Sequence, residues 1–199
     1  MSIPRTPWLL FDYGEVLCVA PSDSDRLALE NSVADFLSPT DLWVRYWEIR
    51  PRYDDGTLSI HDYWRLVLGK SLPETRIDDI HRHDIAMWSH PNPDTLRYVA
   101  RAREAGYQLA LLSNAPAPFG DAFNELEWLS PFSPRVFSGH VGLVKPSAAI
   151  YEVCLDHMNA TPDEVTFIDD RTENIEAARA LGMNALHFQS AAQLRELLE

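Results

Sequence analysis

A parallel α/β sheet, interrupted after its first strand by a helical insertion, is the architecture the sequence predicts. Three observations lead there. Short apolar runs recur at 8–11, 107–113, 135–138, 165–169 and 184–188. From residue 93 onward these runs alternate with helical patterns, and strand–helix–strand repetition implies parallel strands joined by right-handed crossovers. Residues 19–91 break that rhythm and read as helices only, too many for one crossover.

Taken in order, "WLLF" (8–11) is a strand that stops at Asp12. Four helical stretches follow, at 22–37, 40–53, 59–70 and 73–88, with Ser22, Thr40 and Ser59 as N-caps. Asn92 caps the next helix, Pro93 occupies its first position and Gly106 closes it. "YQLALLS" (107–113) ends on Ser113-Asn114, and "RVFS" (135–138) is a third strand. In "KPSAAIYEVCLDHMN" the residues Ile150, Val153, Cys154 and His157 are expected on one helix face. "VTFID" ends on Asp169-Asp170, "TENIEAARALG" is a helix stopped by Gly182, and "NALHF" closes the sheet. The expected division is a core of residues 1–18 and 92–199, with residues 19–91 as a helical cap. Ligands of open α/β sheets bind at the carboxyl ends of the strands, so a cap there would cover the ligand.

The chain has 199 residues, 46% of them hydrophobic, and a net charge of −13. A real core can be buried, and a binder of nucleic-acid backbones, which needs a basic face, is excluded. A small anionic substrate is compatible, because a metal ion or a few local cations outweigh the global field. Two cysteines, Cys18 and Cys154, are too few for a disulfide framework and point to a reducing compartment. "MSIPRTPW" lacks the apolar core of a signal peptide, and no apolar run approaches the ~20 residues that span a bilayer. A soluble cytoplasmic protein is expected, with no membrane partner; the sequence does not fix an oligomeric state. Lysine occurs only at positions 70 and 145.

Four places carry candidate chemistry: Asp12, Ser113-Asn114, Lys145 in "SGHVGLVKP" and Asp169-Asp170 in "VTFIDDRTEN". Singly, each is an ordinary turn, loop or helix cap. Together they lie at strand ends that a parallel sheet brings to one edge. Two acids can hold a hard cation such as Mg²⁺. A hydroxyl, backbone N–H groups and a lysine can hold a phosphoryl group, and a carboxylate can attack phosphorus.

The ordered set "FDYGEVL", "LLSN", "GLVKP" and "FIDDRTEN" resembles the four motifs of the haloacid dehalogenase-like hydrolase superfamily, over nearly the whole chain. The resemblance implies a Rossmann-like core with an inserted all-helical cap, and Mg²⁺-dependent hydrolysis of a small phosphorylated metabolite through an aspartyl-phosphate. It implies that Asp12 is nucleophile and metal ligand, that the carbonyl of Gly14 and Asp170 are further ligands, and that Ser113 and Asn114 bind the phosphoryl group. Lys145 would neutralise charge, Asp169 would stand beside Asp170, and Asn174 would hold metal-bound water. Gly14 departs from the pattern, since most phosphatases of this superfamily carry aspartate there as general acid and base. The departure is similar to a minority branch that includes phosphatases of hexose 1-phosphates. A general acid contributes about 10²–10⁴-fold. Its loss favours good leaving groups unless another group replaces it, a metal-bound or cap-held water being the expected source. Two alternatives stand beside this reading: a metal-independent 2-haloacid dehalogenase, and a phosphate-ligand-binding or interaction protein on a disabled scaffold. Asp169-Asp170 and the absence of "DxYGT" argue against the first.

In the insertion, Trp43 and Trp47 lie one helical turn apart and read as its own core, with aromatics left over to line a substrate pocket. Arg45 and Arg50 read as solvated side chains. His81 and His83 do not share a helix face and are not a metal pair. Cys18 reads as packed.

Overall fold

The computed structural model describes residues 6–198. Five strands form one parallel sheet: β1 (Trp8–Phe11), β2 (Gln108–Ser113), β3 (Arg135–Phe137), β4 (Val165–Asp169) and β5 (Asn184–His187), in the order β3-β2-β1-β4-β5. The first strand is central, with Phe11 facing Leu111 on one side and Ile168 on the other. The sheet is covered on both faces, so its strands are continuous apolar runs whose alternate residues feed two cores. Leu9, Phe11, Leu109, Leu111 and Ile168 belong to one, Leu10, Ala110, Leu112, Val165 and Phe167 to the other.

Between β1 and the second strand run α1 (Asp23–Ser32), α2 (Pro39–Asp54), α3 (Ile60–Leu68), α4 (Glu74–Met87) and α5 (Pro93–Glu104). Asn92 caps α5 as the sequence predicts, accepting from the N–H groups of Asp94 and Thr95. The cap of α2 is a correction: Ser38, not Thr40, accepts from the Asp41 N–H, because Pro39 supplies the first helical position. After β2 come α6 (Ala117–Asn124), α7 (Ser138–Val141), α8 (Ala148–Met158), α9 (Thr172–Ala180) and α10 (Arg195–Leu198). Within α8, Ile150 and Cys154 are buried, but His157 is exposed, since the apolar face continues through Tyr151, Leu155 and Met158 instead.

Helices α1–α4 share the first core with one face of the sheet. Their entry and exit are pinned: Val19 N–H donates to the His90 carbonyl at 3.0 Å, and Asn92 N–H to the Leu17 carbonyl at 2.8 Å. A second attachment joins the end of α2 to the start of α7, where the Ser138 hydroxyl donates to the Asp54 carbonyl at 2.5 Å. Gly139 is required at that junction, because a Cβ there would lie 2.2 Å from the Ala117 nitrogen.

The helical segment has a polar interior. The Tyr46 hydroxyl donates to Asp84 Oδ1 at 2.8 Å and accepts from Arg50, whose Nε donates to Asp54 Oδ1 at 2.6 Å. Both ring nitrogens of His81 are buried without a partner among the described residues, its ring edge-on to Phe119. Burial pushes Asp84 up to about 6, against the pull of Arg50, and burial with Arg50 pushes His81 down to about 4. The two act oppositely on stability. Asp84 holds its proton more tightly folded than unfolded, so its contribution falls as pH rises from 3.8 through 6. His81 binds its proton less tightly folded, so its contribution is lost as pH falls from 6.5 through 4. At 1.36 kcal/mol per unit each is worth about 3 kcal/mol, and they offset. The Asp84→Asn variant, which still accepts from Tyr46, should therefore lose about 3 kcal/mol more than wild type between pH 6.5 and 4. Urea unfolding across that range measures it; parallel curves would contradict the assignment.

Candidate active site

All eight residues singled out in the sequence meet at the carboxyl edge of the sheet. Asp12 follows β1, and its N–H donates to the Ile168 carbonyl at 2.8 Å, so the β1–β4 ladder fixes its position. Ser113 ends β2, and Asp169 ends β4 with Asp170 directly after it. Lys145 arrives on the loop between α7 and α8 and is held from behind. Asn114 accepts from the Lys145 N–H at 2.8 Å and donates to the Lys145 carbonyl at 2.9 Å. The side-chain amide of Asn114 is thus committed to placing the lysine.

The Lys145 ammonium bridges two carboxylates, 2.6 Å from Asp12 Oδ1 and 2.7 Å from Asp169 Oδ2. Asp169 is fully buried and also accepts from Asn174 Nδ2 at 3.0 Å on each oxygen and from the Arg171 N–H at 2.8 Å. Asn174 therefore orients Asp169, while its own carbonyl accepts from the Tyr151 hydroxyl at 3.0 Å. Asp170 is half-buried and faces the cavity, and its carbonyl accepts from the His187 ring at 2.8 Å.

One oxygen from each of Asp12, Asp169 and Asp170 lies within 4.8 Å of the others. The Lys145 ammonium pairs with two of these three carboxylates, Asp12 and Asp169. Burial pushes Asp12 up to about 7; Lys145 pulls against it, and Asp169 and Asp170 add to the rise. Burial disfavours the Lys145 charge, but Asp12 and Asp169 outweigh it and hold the ammonium above its usual value. The donor set suits a hard divalent cation, which takes oxygen ligands and relieves this repulsion. Because the Asp169 oxygens are already engaged, Asp12 and Asp170 are the carboxylates free to hold it.

Above this floor lies a half-open cavity of about 420 Å³, partly walled by the helical segment. Asp12, Gly14, Ser113, Asn114, Lys145 and Asp170 line its base. Its far wall comes from Trp47, Arg50, Asp54 and Trp88 of the insertion and from Phe119 and Phe123 of α6. Arg50 is only 7% exposed, not a solvated side chain, because Asp54, Tyr46 and the Phe119 ring enclose it. Trp47 is 52% exposed and belongs to the cavity wall rather than the module's core, unlike half-buried Trp43, which donates to Glu30.

Tyr13, between Asp12 and Gly14, was not anticipated. Its hydroxyl donates to the Trp88 carbonyl at 2.6 Å and its ring stacks on Phe123, joining the loop after β1 to the exit of the insertion. Two residues on, Glu15 holds a left-handed backbone at φ 57°, a conformation costing a non-glycine residue roughly 1–2 kcal/mol. Strain of this kind gathers at functional sites.

Comparison with known proteins agrees with the geometry. The mouse bifunctional epoxide hydrolase 2 is 32% identical over 136 residues, 65% of this chain but 24% of that protein. The chain thus matches about a quarter of that longer relative. The sesquiterpene phosphatase astK of Aspergillus oryzae is 30% identical over 98 residues, 47% of this chain and 50% of that one. A haloacid dehalogenase family enzyme of Bacteroides thetaiotaomicron, solved in complex with magnesium and inorganic phosphate, has the same fold. Its TM-score is 0.69 at 20% identity, covering 91% of this chain and 93% of that one. Residues 23–182 match the model of the haloacid dehalogenase-like hydrolases, and the chain belongs to that family.

Proposed function

We propose that the chain is a Mg²⁺-dependent phosphatase of small phosphate monoesters, working through an aspartyl-phosphate on Asp12, with residues 19–91 as the cap over its site. The observation that carries this reading is the convergence of Asp12, Asp170, Lys145 and Ser113 on one cavity. A carboxylate beside an ammonium and an acidic pair, under a pocket of small-molecule size, fits phosphoryl transfer better than any other family chemistry.

In this reading one Asp12 oxygen attacks phosphorus while the other stays with Lys145, which offsets the charge gathering on the phosphoryl oxygens. Ser113 donates to one of those oxygens. Asp169 and Asn114 keep the ammonium in place from two sides, and Asn174 keeps Asp169 in place. Bound between Asp12, the Gly14 carbonyl and Asp170, Mg²⁺ would lower the repulsion between two anions and stabilise the transferring group. The wall above the floor, mostly aromatic with the Arg50–Asp54 pair set into it, selects the leaving group, and a hexose 1-phosphate belongs in the first panel because of Gly14.

The test is phosphate release from a panel of phosphorylated metabolites, with Mg²⁺ and with chelator. Chelator-sensitive release restored by Mg²⁺ supports the proposal; chelator-resistant release of halide from 2-haloacids would replace it with the dehalogenase. The two acids should separate. Asp170→Ala should abolish Mg²⁺ binding, seen as loss of the Mg²⁺-induced rise in melting temperature, with little change in metal-free stability. Asp169→Ala should cost about 3–5 kcal/mol of stability, because it removes one of the two buried partners of Lys145 and leaves the Asn174 amide and the Arg171 N–H without their acceptor. The reverse ranking would exchange their roles.

A further inference from the structure

Gly14 brings no side-chain carboxyl to the cavity, and another acid, Asp54 of the helical segment, lines that cavity. Asp54 ends α2, and the Ser138 hydroxyl fixes its carbonyl at 2.5 Å. Oδ1 accepts from Arg50 Nε at 2.6 Å, and the side chain keeps 18% exposure on the wall of the cavity whose floor carries Asp12. Ser138 follows β3, and Arg171, whose charge reaches Asp54, follows β4. In the order β3-β2-β1-β4 the strands between them are β2, which ends on Ser113, and β1, which Asp12 follows. Asp54, Ser113 and Asp12 line one and the same cavity. A Cβ built on Gly14 meets nothing within 4 Å, so the space beside the nucleophile is open to a group reaching down from above.

We propose that Asp54 is the general acid and base of this active site, a catalytic carboxyl supplied by the helical insertion in place of one at position 14. The proposal rests on the phosphatase reading. Besides Asp12 and Asp170, the carboxyls among the described cavity-lining residues are Glu15, Asp54 and Glu173. Glu15 is exposed, and Glu173 is exposed and paired with Arg171 at 2.9 Å. Only Asp54 is shielded. Burial raises its pKa; Arg50 pulls it down without cancelling the rise, Asp55 adds to it and Arg171 opposes it. Its place at a helix C-terminus, the negative end of the dipole, also favours the protonated form. Tyr46 and Asp84 complete the charged surroundings through Arg50.

The proton balance closes over one cycle. An Asp12 oxygen bonds to phosphorus as the phosphorus–ester oxygen bond breaks, and the departing alkoxide takes the Asp54 proton and leaves as alcohol. Water then bonds to phosphorus, giving its proton to the Asp54 carboxylate, as the bond to Asp12 breaks. Phosphate leaves, and both carboxyls return to their starting states.

The test is a series of phosphate esters, from 4-nitrophenyl to simple alkyl, in wild type and Asp54→Asn. In wild type, kcat/KM should depend only weakly on leaving-group pKa, whereas a steep fall toward alkyl esters overturns the proposal without any variant. In Asp54→Asn, alkyl esters should lose about 10²–10⁴-fold in kcat/KM and the nitrophenyl ester far less, since nitrophenolate needs no proton. The same variant should release nitrophenolate in a burst equal to the active sites and then turn over slowly, because water activation is lost. Equal losses on every ester with no burst would mark Asp54 as merely structural and sink the proposal. Wild-type protein that releases phosphate from no ester with Mg²⁺ would remove the phosphatase reading itself and this proposal with it.

Discussion

Asp12→Asn should abolish turnover, by about 10⁴–10⁶-fold, the scale on which loss of a covalent nucleophile registers. Asparagine is nearly isosteric and a poor nucleophile. The fold should survive the change. The Asp12 N–H bond to the Ile168 carbonyl belongs to the backbone, and Lys145 keeps its second carboxylate partner, Asp169, at 2.7 Å. Burial already works against the Asp12 charge, so a neutral amide there is no burden. Circular dichroism and urea unfolding establish that the variant is folded, and phosphate release measures the loss. A folded Asp12→Asn protein with wild-type turnover would end the covalent mechanism.

Lys145→Met should damage stability and activity together. The ammonium is among the most buried charges in the protein, and it satisfies two carboxylates at once. Methionine fills the space of the side chain and leaves Asp12 and Asp169 facing each other. Removing one partner of a buried ion pair typically costs about 3–5 kcal/mol. Asn114 should not compensate, because its amide holds the main chain of residue 145 and not its charge. Asn114→Ala then gives a milder version of the same defect, with the ammonium present but poorly placed. Equilibrium unfolding without substrate reads the first effect. A Lys145→Met protein as stable as wild type would mean that the two aspartates are already neutral and that the charge arrangement described above is wrong.

The sheet was legible because its strands are buried on both faces, and runs such as "WLLF" and "LALLS" have no other comfortable place. The floor of the site was legible for a related reason: a parallel sheet gathers the residues after its strands, so Asp12, Ser113 and Asp169-Asp170 could be assembled from order alone. The far wall was not. Arg50 read as a solvated side chain and Asp54 lay just past the expected end of its helix; packing by Tyr46 and Phe119 is what turns Arg50 inward, with Asp54 paired to it. Helix α6 was hidden by Pro116, Pro118 and Gly120, which suggest a loop. One proline starts the helix, and the glycine is there for close approach, since a Cβ would come 2.8 Å from the Phe137 ring. Trp47 and Trp43 share a spacing but not an environment, because helical periodicity places residues on a face without saying what meets it. The resemblance already set Asp169 beside Asp170 in a supporting place; what needed coordinates was the partners of Asp169, which are Lys145, Asn174 and Arg171, while Asp170 turns to the cavity.

The central claim is a phosphoryl group carried on Asp12. Its most direct test is rapid acid quench of the wild-type protein during turnover of a phosphate ester with Mg²⁺, followed by mass spectrometry of its peptides. The account predicts an acid-stable, base-labile phosphoryl adduct on the peptide containing Asp12, absent from Asp12→Asn. Turnover with no adduct on that peptide at any quench time, or an adduct on another residue, would contradict it.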